Sequence, residues 1–231
     1  MAEILAGYGM DEATLIAAIL HDTVEDTEMS IEDAEEQFGS EVAELIDGVT
    51  KLDRIRFSSR EEHQAATIRK MAIAMARDIR VLLIKLADRL HNVRTLAPLP
   101  DVKRERIARE TIEVYAPLAH RLGVQEIKHE MEDLCFRELY PKRMSELEDL
   151  IKRRAPEREV DVDKVMTQVR DELTAQGIDA TVTGRPKHLY SIYRKMMTSG
   201  LEFEQIYDLI GVRVLVNEVR DCYAVLGLVH T

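Results

Sequence analysis

The sequence predicts a mostly α-helical chain: a helical bundle over residues 1–155, followed by a smaller α+β portion over residues 156–231. Three observations lead there. Apolar residues recur at steps of three and four up to about residue 155, with polar punctuation between runs and almost no strand signal. From about Asp161 the pattern changes, and short β-branched runs stand next to turn residues. The 231 residues are 45% hydrophobic, which is enough to bury one large core or two modest ones.

In the first portion, residues 15–20 form an apolar helical run that, by the simplest placement, continues through residues 21–27. Ser30 with Asp33, and Ser59 with Glu62, have the shape of helix-opening capping pairs. Gly39 follows one helical run and Pro141 interrupts another. The charged stretch 130–154 reads as a helical pair around Pro141, a solvated connecting face between two domains.

In the second portion a helix runs through Gln176 and is stopped by Gly177, and residues 178–183 alternate like a strand. A basic segment, 185–195, precedes residues 209–216, whose shortness and β-branched content favour a second strand. Two strands and their helices are too little sheet to close an α+β domain, so this portion is expected to be a partial one. The chain has no internal repeat or low-complexity tract.

Charge and cysteine usage narrow the partners. With 43 acidic and 32 basic side chains the net charge is -11, which disfavours nucleic-acid binding and requires any phosphate site to be local. Cys135 and Cys222 lie far apart, without a Cys or His at ligand spacing, so neither a disulfide framework nor a zinc site is expected. No signal-peptide pattern opens the chain and no apolar run approaches the roughly 20 residues that span a bilayer. The expectation is a soluble, cytoplasmic protein without a membrane partner.

Three clusters of residues carry chemistry. The first is His21-Asp22-Thr23-Val24-Glu25-Asp26-Thr27. On a continuous helix His21 stacks over Glu25 and Asp22 over Asp26. An imidazole and an adjacent carboxylate suit a divalent ion such as Mn²⁺, and carboxylates one turn on can take a proton from water. Taken alone, the dipeptide is more simply a helix-surface pair. The second cluster lies in residues 85–96, where Leu83, Leu86, Leu90 and Val93 make a buried stripe and Asp88, Asn92 and Thr95 a polar one. Arg89 is placed to hold Asp88 in a semi-buried cleft; an ordinary solvated helix face is the alternative. In the third, Arg185 and Lys187 fall in a turn ahead of a helix, where amides and cations favour polyphosphate, and Ser191 and Lys195 extend that face. Asp208 precedes the second strand, suited to hold Mg²⁺ against phosphate oxygens, with Arg213 five residues on. A basic surface loop on an acidic protein is the alternative there.

Residues 21–27 paired with Lys85-Leu86-Ala87-Asp88-Arg89-Leu90-His91-Asn92 resemble the hydrolase half of the RelA/SpoT family of alarmone enzymes, a branch of the HD metal-dependent phosphohydrolases. Residues 185–196 and 208–213 resemble the start of that family's synthetase domain, which is similar to nucleotidyltransferases. The resemblance covers essentially the whole chain, as an internal portion of the family pattern. It implies an HD-type helical hydrolase domain followed by a truncated α+β nucleotidyltransferase-like domain. It further implies that His21, Asp22 and Asp88 are metal ligands, that Glu25 and Asp26 assist water attack, and that Asn92 and Thr95 contact the nucleotide. The implied reaction is Mn²⁺-dependent removal of the 3′-pyrophosphate of (p)ppGpp, giving GDP or GTP, within the stringent response.

In the family a further metal-binding histidine, in a His-Pro segment, precedes the position that matches Met1. His63, His91, His120 and His129 are expected to be structural or solvent-facing rather than to replace it, so this stretch is expected to be one ligand short. In the synthetase half the resemblance assigns ATP phosphates to Arg185 and Lys187, supported by Ser191 and Lys195, with Arg213 nearby and Mg²⁺ on Asp208. That reaction transfers pyrophosphate from ATP to the 3′-hydroxyl of GDP or GTP. The family's Tyr-rich GDP-binding loop and catalytic glutamate follow the position that matches Thr231, so synthesis is not expected of this stretch. Two other readings stand beside this one. A general HD nucleotide phosphohydrolase is opposed by the basic region 185–213, and a non-catalytic chain that binds guanine nucleotide or pairs with a full-length subunit fits the missing ligand.

Overall fold

The computed structural model describes residues 1–53, 78–206 and 208–230, without the side chains at 52–53, 154–161 and 186. The Ser59–Glu62 capping pair and His63 therefore lie outside the described residues. The chain divides into two compact units, Met1–Leu139 and Tyr140–Thr231.

The described residues of the first unit build helices and turns: α1 (Ala2–Gly7), α2 (Glu12–Leu20), α3 (Thr23–Asp26), α4 (Ile31–Phe38) and α5 (Ser40–Asp53), then α6 (Ile79–Arg94), α7 (Asp101–Glu110), α8 (Ala116–Arg121) and α9 (Gln125–Leu139). Local chemistry sets several ends. Asp11 caps α2 by accepting from the Thr14 amide at 2.8 Å and its hydroxyl at 2.6 Å. Ser30 and Asp33 form the reciprocal capping box that their spacing predicts. Gly39 ends α4 at φ 90°, a conformation that costs other residues, and the chain turns there into α5.

Helix α6 is the centre of this unit. Its Val81, Ile84 and Ala87 pack into a cluster with Leu5, Ala18 and Ile46, its Leu82, Leu86 and Leu90 into a second with Ala119, Ile127 and Met131, and its Val93 into a third with Ala108 and Cys135. Each fully buried aliphatic chain contributes about 1.5–3 kcal/mol, so three contacting faces fix the rotation of α6 about its own axis. Leu83, expected in the buried stripe, is only half-buried, because that stripe is wider than one face and Leu82 and Ile84 take the deep positions. Arg80 ties the start of α6 to two other segments, with Nη1 3.0 Å from Asp11 and 2.7 Å from Glu41 and Nη2 2.7 Å from Asp78. Between α7 and α8 the helix widens into a π turn, Thr111–Tyr115, and the Arg89 guanidinium lies 3.9 Å from the centre of the Tyr115 ring.

The second unit opens with α10 (Pro141–Ala175), which begins on its proline because that position needs no amide hydrogen. The helix runs unbroken to Ala175, and the division between units falls at Leu139–Tyr140, ahead of the change in sequence character near Asp161. Strand β1 (Ala180–Pro186) pairs antiparallel with β2 (Ile210–Val216), Val182 opposite Val214 and Gly184 opposite Val212. Val182 is buried, and a methyl group on Gly184 would reach within 3.4 Å of Val162 and Met166 of α10. Helix α11 (Leu189–Ser199) and a 3-10 turn (Phe203–Gln205) connect the strands, and α12 (Val219–Val229) follows β2. The first strand lies two to three residues later than its alternation suggests, since the ladder with β2 extends to the Pro186–Ile210 pair. Arg185 is thus within β1, opposite Gly211, and not in the turn where the sequence placed it; Lys187 occupies that turn. Among the described residues no helix is long and apolar enough to cross a membrane.

Candidate active site

The His21–Asp22 pair sits where α2 stops. The His21 Nδ1 donates to the Ala18 carbonyl at 3.0 Å and the Thr23 hydroxyl to the Leu20 carbonyl at 2.6 Å, so side chains compete with the backbone for the acceptors at the end of α2. The helix breaks, His21 and Asp22 form a turn, and α3 restarts at Thr23. This corrects the single continuous helix expected from the apolar run, which gave no sign of the local capping. Glu25 and Asp26 are exposed on α3.

Through this break the His21 ring reaches α6. Its Nε2 stands 2.8 Å from Asp22 Oδ2 and 3.7 Å from Asp88 Oδ1, the second an ion-pair rather than a hydrogen-bond distance. With Nδ1 committed to a carbonyl, the neutral ring has its lone pair on Nε2, toward the carboxylates. Burial lowers the His21 pKa, but the Asp88 and Asp22 carboxylates outweigh that and raise it. Asp22 is raised too, first by burial and then by Asp88 and Asp26, against the lowering effect of His21 and Lys85.

Asp88 is 8% exposed and carries most of the local bonding. Lys85 Nζ donates to its Oδ2 at 2.9 Å, and Asn92 Nδ2 donates to its Oδ1 at 3.0 Å. Burial pushes the Asp88 pKa up, yet His21 and the Lys85 ammonium together hold it well below the usual carboxylate range. Lys85, not Arg89, is the cation that holds Asp88. Arg89 turns to Glu110 at 3.2 Å and to the Tyr115 ring. The signal for Lys85 was available, since a residue three positions earlier shares a helix face. Asn92 thus joins the Asp88 cluster, whereas Thr95 ends α6 and donates to the His91 carbonyl at 3.0 Å. Of the histidines expected to be structural or solvent-facing, His91 and His120 are exposed and His129 is buried.

In the second unit, Lys187 and Lys195 converge on Asp208, each Nζ 2.7 Å from a different carboxylate oxygen. The Lys187 amide also donates to the Leu209 carbonyl at 2.8 Å, which fixes the turn beside β2. Hydrogen bonds from the two lysines bring the Asp208 pKa down to about 2. Ser191 lies on the first turns of α11, half-buried, and Arg213 is exposed on β2 opposite Thr183.

The donor set around His21 fits a divalent ion in kind: an imidazole with its proton tied elsewhere, and two carboxylates from separate segments. Among the described residues no three His, Cys, Asp or Glu side chains stand open around a common ion position. The oxygens of Asp88 are turned to Lys85 and Asn92 instead.

Two family descriptions match the chain: "HD domain" over residues 1–125 and "Region found in RelA / SpoT proteins" over residues 184–231. An HD domain points to a divalent metal. The chain is 58% identical over 227 residues to a "GTP pyrophosphokinase" of Streptomyces coelicolor, covering 98% of this chain and 27% of that protein. It is 56% identical over 231 residues to the "Bifunctional (p)ppGpp synthase/hydrolase RelA" of Mycobacterium tuberculosis, covering all of this chain and 31% of that protein. With the "Bifunctional (p)ppGpp synthase/hydrolase SpoT" of Escherichia coli it shares 48% over 231 residues, again all of this chain and 33% of that protein. The chain thus spans about a third or less of the length of these curated relatives. With an HD domain in its first 125 residues and the second matched region from residue 184 onward, the chain belongs to the RelA/SpoT family.

Proposed function

We propose that the first unit is the hydrolase part of a bifunctional alarmone enzyme, removing the 3′-pyrophosphate of (p)ppGpp to give GDP or GTP, and that the second unit carries the opening part of an ATP:GDP/GTP pyrophosphokinase domain. The observation that carries this reading is the meeting of His21 and Asp22 with Asp88 of α6 at the His21 Nε2. His21, Asp22 and Asp88 would hold a divalent ion, with Mn²⁺ proposed for the mixed nitrogen and oxygen donors. When bound, such an ion lowers the pKa of water and offsets charge on the attacked phosphate. Glu25 and Asp26, exposed on α3 beside this cluster, take the proton from the attacking water. Asn92 orients Asp88 and, with Thr95 one turn on, faces the nucleotide.

In the second unit the Lys187–Asp208–Lys195 group is suited to polyphosphate and Mg²⁺: two ammonium groups for ATP phosphates and one carboxylate for the ion, with Arg185, Ser191 and Arg213 completing the nucleotide contacts. The acidic net charge of -11 speaks against direct nucleic-acid binding, and the two free cysteines fit a reducing cytoplasm. The test is pyrophosphate release from ppGpp in excess Mn²⁺, comparing this chain, its Asp88→Asn variant, and a chain continued upstream through the family's His-Pro segment. Turnover that Asp88→Asn abolishes supports the reading. Turnover in none of the three, or equal turnover with and without Asp88, rejects it.

A further inference from the structure

Lys85 has no part in the roles above, yet it bonds the carboxylate on which the candidate site turns. Asp88 is buried, and its carboxylate is held from two directions by its own helix. Lys85, three residues earlier on α6, donates from Nζ to Oδ2 at 2.9 Å, and Asn92, four residues later, donates from Nδ2 to Oδ1 at 3.0 Å. Spacings of three and four put these side chains on one face of α6. His21 Nε2 stands on the Oδ1 side, 3.7 Å away. The last torsion of an aspartate is broad, so a single donor leaves the carboxylate plane free to turn about that bond. A donor on each oxygen removes that freedom. The Lys85 bond is also sheltered, with side chains 12% and 11% exposed, so solvent screens it little and the ammonium serves as the cation that a buried carboxylate needs.

We propose that Lys85 is a positioning residue of the hydrolase site: its bond to Oδ2 sets the plane of the Asp88 carboxylate and keeps Oδ1 toward His21. The proposal rests on the hydrolase reading above, in which Asp88 works together with His21 and Asp22. Lys85 acts through Asp88 and not on the nucleotide, so its loss lowers the rate of the chemical step and leaves substrate affinity in place. The backbone of α6 is held independently by the three apolar clusters, so the effect of Lys85 is confined to the direction of a side chain. Arg89, the neighbouring cation on α6, does not take over, because its guanidinium is engaged by Glu110 and the Tyr115 ring.

The test compares the wild-type chain with Lys85→Met, which keeps the length without charge or donor, and Lys85→Arg, which keeps both. The first readout is the side-chain amide resonance of Asn92 in ¹⁵N NMR, with Asp88→Ala as the unbonded reference. In Lys85→Met that resonance is expected to move toward its position in Asp88→Ala, and in Lys85→Arg to stay near the wild-type one. The second readout is ppGpp hydrolysis by the same variants, made also in the chain continued upstream through the family's His-Pro segment. Lys85→Met is expected to lower kcat about tenfold at unchanged KM, the size usual for losing a partner that orients a site residue, and Lys85→Arg to recover most of it. Thermal unfolding of each variant corrects the rates for the folded fraction. An Asn92 resonance that stays in place in Lys85→Met, or a kcat as high as that of the wild type, overturns the proposal. So does a raised KM at unchanged kcat, which would put Lys85 on the substrate. The hydrolase reading fails separately, if Asp88→Ala hydrolyses ppGpp as fast as the wild type or if no chain turns over, while the Asn92 resonance still reports the Lys85 bond.

Discussion

Gly48 of α5 faces Val81 of α6 so closely that a methyl group placed on the glycine would lie 2.7 Å from Val81 Cγ2. Val81 is stiff, 4% exposed and one of the residues that fix the rotation of α6. Since α6 carries Lys85, Asp88 and Asn92, this approach helps to set which way Asp88 points.

Gly48→Ala should therefore destabilise the first unit. Alanine gains about 1 kcal/mol in helix propensity, whereas overpacking costs about 1–3 kcal/mol, so a net loss of roughly 1 kcal/mol is expected. Thermal unfolding of the variant, and its rescue by Val81→Ala in the same chain, measure it. A variant as stable as the wild type would mean that α5 and α6 separate freely.

On the proposed hydrolase function, Asp88→Asn should lower ppGpp hydrolysis by at least about 100-fold, the upper end of the effect of losing a partner one shell further out. The amide keeps the shape of the side chain, but it removes the carboxylate that meets the half-buried Lys85 ammonium. Circular dichroism of the variant separates loss of chemistry from loss of fold: unchanged spectra with lost turnover assign the effect to the site.

Thiol reactivity should divide the two cysteines. Burial pushes the Cys135 thiol up to about 12, so at pH 8 its thiolate fraction is on the order of one in ten thousand, while Cys222 is exposed. One thiol per chain should react with a disulfide reagent in the native state, and the second only in denaturant. Two fast thiols would show that α9 opens from the core of the first unit.

The Asp208 cluster has a definite pH sign. Its folded pKa of about 2 lies below the ordinary 3.8, so its contribution to local order is fully present above 3.8 and is lost as the pH falls toward 2. The carboxylate is 54% exposed, so solvent screens the pairs and the contribution is small. A carboxyl NMR titration should give Asp208 the depressed value, and Lys187→Ala and Lys195→Ala should each move it back toward 3.8. A value near 3.8 in the wild type would mean that neither lysine holds it.

The sequence by itself determined the helical class of the first unit, the Ser30–Asp33 capping box, the stop at Gly39, and the presence of two strands in the second, because each rests on side-chain periodicity or on groups within a few residues. It also singled out His21, Asp22, Asp88, Lys187, Lys195 and Asp208 by their chemistry and spacing. Only the tertiary structure decided what those residues touch. The break after Leu20 is a local feature that apolar periodicity does not encode: two side-chain donors find carbonyls three residues back. The choice of Lys85 over Arg89 depends on the rotation of α6 among three apolar clusters, which turns Arg89 to Tyr115 and Glu110 and leaves Lys85 beside Asp88. The end of β1 likewise depends on the strand opposite. Local pattern names the groups, but side-chain direction is set by packing against distant segments.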